Sequence, residues 1–92
     1  MKPLILPLKR RWFDEIRQGI KAEELRVYND YWRKRLEGRE YSHIELTLGY
    51  PPRHDTSRRI FKPWLGYEIK TVTHPHFGPE PIKVYAIKIL QE

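Results

Sequence analysis

The chain contains no cysteine, which excludes a disulfide framework and any thiolate metal site. That absence fits a reducing interior. Long apolar runs are missing too, and nothing approaches the ~20 residues that a membrane helix requires. Met1 to Leu8 is interrupted by Pro3 and Pro7 and followed by Lys9, Arg10 and Arg11, so it does not read as a signal peptide. The expected compartment is the cytoplasm, with no membrane contact. Internal repeats and low-complexity segments are absent. So are a phosphate-binding glycine loop, a nucleophile elbow and a metalloprotease helix motif. Acidic residues are scarce beside basic ones, 12 against 18, giving a net charge of +6. A small surface of this sign attracts polyanions and speeds encounters with them.

What is present suffices for one domain over residues 1–92, with 39% hydrophobic and 33% charged residues supporting a single modest core. Lys2 to Leu8 reads as an opening strand that Pro7 ends or confines to an edge. Lys9 to Gln18 reads as a helix with Trp12, Phe13 and Ile16 on its apolar face and Arg10, Asp14 and Arg17 toward water. Gly19 stands where a left-handed helix cap belongs. Glu23 to Tyr28 then looks extended, with Leu25 and Val27 on one side and Glu24 and Arg26 on the other. Asp30 to Glu37 is a second short helix, capped by Asn29 or Asp30 and ended by Gly38.

The clearest strand is His43 to Tyr50, where Ile44, Leu46, Leu48 and Tyr50 alternate with Glu45 and Thr47. Arg58 to Lys62, Gly66 to Thr73 and Lys83 to Leu90 complete the strand set. Proline places loops at residues 49–57 and 74–81. Five or six short strands with two short helices in the N-terminal half define an α+β domain, and a small closed β-barrel would remove its exposed edges.

Chemistry concentrates after the first helix. Gly19, Lys21, Glu24 and Arg26 form a G-x-K-x-x-E-x-R pattern at a helix-to-strand junction, where charged side chains line an opening more often than a core. Tyr31, Trp32, Arg35 and Leu36 follow, then a strand ending in Gly49 and Tyr50. In this order the residues resemble the ASCH domain, a member of the PUA-like superfamily of small β-barrels, with the likeness running from Leu4 to Leu90. The resemblance implies a five- or six-stranded barrel with a cleft beside the first helix. It also implies RNA binding, with ribonucleases among some members. One branch is similar to amidohydrolases that deacetylate acetylated cytidine with a lysine, a threonine and a glutamate. The lysine falls on Lys21, the threonine position is occupied by Glu24, and Glu80 is the only acid in the segment before the last strand.

The expectation is a basic cleft for RNA or a nucleotide lined by Lys21, Glu24, Arg26 and Arg35, with Tyr31 and Tyr50 as stacking surfaces. Trp32 and Leu36, four apart, are expected to pack on the barrel. Glu24 and Arg26 have two readings, as ligands of a base edge and phosphate or as an ion pair tying the strand in place. An enzymatic alternative makes Lys21 and Glu24 the working pair of a small hydrolase. A protein-interaction module is the other alternative. Arg53, His54, Arg58, Arg59 and Lys62 offer a second basic patch flanking the same opening, and Glu68 is a further acid within its reach. Trp64, Gly66 and Tyr67 read as barrel packing, with a close backbone approach at the glycine. His74 and His76 have a spacing that two zinc ligands can use, but the pattern supplies neither a third nor a fourth ligand. No metal and no cofactor is expected.

Overall fold

Leucines at alternate positions start the chain. Leu4, Leu6 and Leu8 are buried while Ile5 is exposed, and this two-residue period makes β1 (Leu4–Leu8). The structure, a computed structural model, describes residues 1–91. Helix α1 (Arg10–Arg17) buries Phe13 and Ile16, three apart on one face. Gly19, at φ 76°, turns the chain out of the helix in the left-handed region that side-chain-bearing residues disfavour. Strand β2 (Glu23–Val27) follows, then α2 (Asp30–Leu36). Asn29 Oδ1 accepts from the Trp32 N–H at 2.9 Å and caps α2, while Leu36 anchors it in the core.

The remaining strands are β3 (Ile44–Leu48), β4 (Arg59–Lys62), β5 (Tyr67–His74) and β6 (Gly78–Lys88). They form two three-stranded sheets. In the first, of order β1-β3-β4, β1 runs parallel to β3 with Leu6 opposite Leu46, and β4 is antiparallel to β3. In the second, of order β2-β6-β5, all neighbours are antiparallel. Strand β6 is central, and Val84 to Ile87 are buried on both of its faces. The core joins the inner leucines of β1 and β3 to Phe13, Ile16, Leu36, Tyr85 and Ile87. Each such buried side chain contributes ~1.5–3 kcal/mol relative to exposure.

Six strands and two helices agree with the α+β reading, but the sheets do not close into a barrel. No strand pair joins them among the described residues. One obstacle to closure is visible at the β1–β2 seam. Proline at position 7 has no N–H to offer a ladder, and the Pro7 carbonyl instead accepts from Arg26 Nη2 at 3.1 Å. A side chain, and not backbone pairing, joins the two strands there.

Two local expectations also change. Residues 74–81 are not all loop. A 3-10 turn at Pro75–Phe77 leads into β6 at Gly78, whose φ of 100° permits the reversal, and His74 pairs with Gly78 after a register shift. At Gly66 no atom lies within 4 Å of where a Cβ would stand, so its role is the backbone turn at φ +82° and not close packing. Trp64 and Tyr67 pack against the core as expected, and Trp64 also lies edge-on to Tyr41 and donates from Nε1 to Glu40 Oε2 at 3.2 Å.

Candidate functional site

The open seam between β1 and β2 is a cleft of about 290 Å³. Its position follows from the fold. Pro7 and Leu8 of β1 form one wall, β2 residues Glu24 to Val27 the other, and α1, α2 and the Pro75–Phe77 turn supply the rim. Apolar walls enclosing a few polar groups are the usual composition of a small-ligand site.

Glu24 is the centre of the polar floor. Only 5% of the residue is exposed, and its carboxylate is held from both sides. Oε1 lies 3.4 Å from Lys21 Nζ, and Oε2 accepts from Arg26 Nη2 at 2.8 Å. The strand period explains the pairing, since residues 24 and 26 project from the same face of β2. The ion pair is one of the two readings that the sequence offers for these residues. Their face points inward because the charged groups satisfy one another there, whereas Leu25 and Val27 are only half-buried. A carboxylate so deeply desolvated would be costly without the two cations. Arg26 Nε is buried with no hydrogen-bond partner, so this guanidinium retains an unsatisfied donor.

Two tryptophans back the cations. Lys21 Nζ lies 4.7 Å from the Trp12 ring centroid, and the Arg26 guanidinium carbon lies 5.0 Å from that of Trp32. Trp32 is half-buried and packs on the core as expected, but it also lines the cleft. Trp12 was legible only as part of a helix face. Its ring sits at the edge of that face, where the cleft opens.

His74 completes the lining at 5.2 Å, ring to ring, from Trp12. Its Nδ1 accepts from the His76 N–H at 3.1 Å, so the neutral ring carries its proton on Nε2 and is a donor there. Burial holds its pKa below the ordinary value, and the Lys21 ammonium adds to the shift. His74 and His76 both line the cleft, yet no group of three or more His, Cys, Asp or Glu suited to a metal ion occurs among the described residues. In the sequence these histidines stand in a proline-rich turn, with nothing local to place them against the cleft.

No family model, curated protein or solved structure matches the chain.

Of the six residues expected to share one site, Lys21, Glu24 and Arg26 converge, and the other three do not line the cleft. Tyr31 is exposed on the outer side of α2, edge-on to Trp32 at 5.1 Å. Arg35 lies over the Tyr31 ring and lines a separate hollow. Residues 32 and 35 are neighbours one turn apart on α2, but Trp32 lines the cleft while Arg35 folds back over Tyr31. Tyr50 is 91% exposed at the turn after β3. Glu68 pairs at the surface with Lys88 at 3.6 Å. The second basic patch does not border the cleft either. Arg58 pairs with Asp55 and Arg59 with Glu45, which commits two of its cations to the fold.

Proposed function

We propose that the cleft binds a single nucleotide unit, either a nucleoside or nucleotide or an unpaired base of an RNA strand. The observation that carries this reading is the Glu24 carboxylate clamped between Lys21 and Arg26 on the floor of a cleft flanked by Trp12 and Trp32. A base edge needs both acceptors and donors opposite it. Glu24 supplies acceptors, and Arg26 and the Nε2 proton of His74 supply donors. Lys21 and Arg26 also favour an anionic group such as phosphate. The volume supports one base with its sugar rather than a duplex, and aromatic walls suit a planar ligand whatever its sequence. The order of the G-x-K-x-x-E-x-R turn, the Tyr31–Leu36 helix and the closing strand supports the ASCH-type, PUA-like reading of the chain.

The test is a panel of nucleosides and nucleoside monophosphates titrated into labelled protein and followed by NMR. The expected result is shift perturbation at the indole N–H groups of Trp12 and Trp32 and at the backbone of Lys21, Glu24 and Arg26, lost in a folded Lys21→Ala variant. Perturbations elsewhere, or none, would sink the proposal.

A second reading, a small hydrolase acting on a modified nucleoside, gains support from His74. It adds a titratable imidazole to the cleft that already holds Lys21 and Glu24. Product formation from an N-acylated nucleoside, abolished in Lys21→Ala, would favour that reading. Full turnover by a folded Lys21→Ala protein would exclude it.

A further inference from the structure

A second hollow, of about 330 Å³, is lined by Lys2, Lys34, Arg35, Arg39, Glu40 and Tyr41. Four of these six are cations and one is an acid. None of the four has a carboxylate within 4.0 Å among the described residues. Arg33, on the same helix, by contrast pairs with Asp30 at 3.3 Å. The single acid, Glu40, accepts from Trp64 Nε1.

The two guanidinium groups are held in place by uncharged partners. Arg35 Nη1 donates to the Tyr31 carbonyl at 3.1 Å, and its guanidinium carbon lies 3.5 Å from the Tyr31 ring centroid. Arg39 Nε donates to the Lys34 carbonyl at 3.1 Å. The Tyr41 hydroxyl donates to the Arg35 carbonyl, and the Ser42 N–H donates to the carbonyl of Lys2 at 3.1 Å, which draws the N-terminal segment to the same place. Cations at a helix C-terminus offset the helix dipole, and each guanidinium gives one N–H to a helix carbonyl. The remaining donors stay uncommitted on pre-oriented forks, the arrangement that recognises phosphate.

We infer that this hollow is a phosphate subsite for single-stranded RNA whose unpaired base occupies the cleft. The inference rests on the nucleotide-unit reading of the cleft. Helix α2 connects the two places. Trp32 lines the cleft and Arg35 lines the hollow, three residues and ~4.5 Å of helix rise apart. A strand with one base seated beside Trp32 carries its neighbouring phosphates over the end of α2. Four cations gathered against one acid repel one another, and a polyanion relieves that repulsion with release of its counterions.

The test compares a labelled eight-nucleotide single-stranded RNA with a nucleoside monophosphate across 50–200 mM salt. Lys34→Gln/Arg39→Gln removes two charges from the hollow. Arg53→Gln/Lys62→Gln removes two from elsewhere and serves as the control. Lys21→Ala reports on the cleft. The hollow variant is expected to weaken RNA binding about tenfold at low salt and to flatten the salt slope by ~1.4, with monophosphate affinity unchanged. The control is expected to change RNA binding less than twofold. Equal losses in both double variants, or no loss in the hollow variant while Lys21→Ala abolishes monophosphate binding, would overturn the subsite and leave the cleft reading intact. Absence of both RNA and monophosphate binding in the unmodified protein would overturn both.

Discussion

Arg26 on β2 reaches across the seam between the two sheets and donates from Nη2 to the carbonyl of Pro7 on β1, at 3.1 Å. The same nitrogen donates to Glu24 at 2.8 Å. One side chain therefore holds the two cleft walls at a fixed spacing and neutralises the buried acid on the floor. The cleft and the sheet junction are the same place, so the residues of the proposed nucleotide site also support the fold.

Arg26→Ala is accordingly expected to cost about 2–4 kcal/mol in urea unfolding at pH 7, because it leaves Glu24 buried with one cation in place of two. Adding Glu24→Gln is expected to recover part of that loss by removing the uncompensated charge. Additive losses in the double variant would show that the two residues are not coupled across the cleft.

Tyr85 ties β6 to the end of α2. Its hydroxyl, in a fully buried residue, donates to Glu37 Oε2 at 2.6 Å, and its ring stacks with Tyr28 at 5.0 Å. Tyr85→Phe is expected to lose about 1–2 kcal/mol. Burial, followed by the Glu37 contact, pushes the Tyr85 hydroxyl well above the ordinary value of 10.0. Its stabilising effect is therefore complete below pH 10 and is lost as pH rises from there toward the folded-state value. In that range the unfolded chain releases a proton that the folded one keeps. The alkaline slope of stability should be shallower in Tyr85→Phe by ~1.4 kcal/mol per pH unit.

His74 has the opposite sign. Its folded-state pKa lies below the ordinary 6.5, owing first to burial and then to Lys21, His76 and Arg11, with Glu24 opposing. The unfolded chain binds a proton first as pH falls, so this contribution is complete above pH 6.5 and is lost on descent through the folded value. A ring titration by NMR should give a midpoint below 6.5 for His74. A His74→Gln variant should show a gentler loss of stability between pH 7 and 5. A midpoint at or above 6.5 would contradict the dominance of burial and the neighbouring cations over Glu24 at this ring.

Asn29→Ala removes the only side-chain cap of a seven-residue helix, since Asn29 Oδ1 accepts the Trp32 N–H. A loss of about 1 kcal/mol is expected. Because Trp32 is the residue whose N–H is capped and whose ring lines the cleft, its fluorescence should report a wetter environment in the variant. Unchanged emission with lowered stability would mean that packing alone positions the ring.

Local chemistry was legible in advance wherever one short-range rule dominated. Leu4, Leu6 and Leu8 announced a strand, Gly19 and Asn29 announced helix boundaries, and the 3.6-residue period placed Phe13 and Ile16 inward. The helix-to-strand junction stands out in the sequence because four ionisable groups, Lys21, Glu23, Glu24 and Arg26, lie close together at an expected turn. Tyr31, Arg35 and Tyr50 were grouped with it by proximity in sequence, which does not say on which side of α2 a residue emerges. Trp12 and His74 were missed as cleft residues for the complementary reason: they are 62 positions apart in the chain and meet only because β5 returns its end to the first turn of α1.

The sequence by itself determined the element types, the basic surface and the acid-and-cation cluster after α1, since periodicity, capping and charge act over a few residues. Which strands pair, that the sheets remain open at Pro7, and that the opening is walled by Trp12, Trp32 and His74 were decided only by tertiary structure. Those outcomes depend on long-range contacts, in which a missing backbone N–H at one edge and a bridging guanidinium at the other compete with barrel closure. No rule confined to neighbouring residues contains both partners.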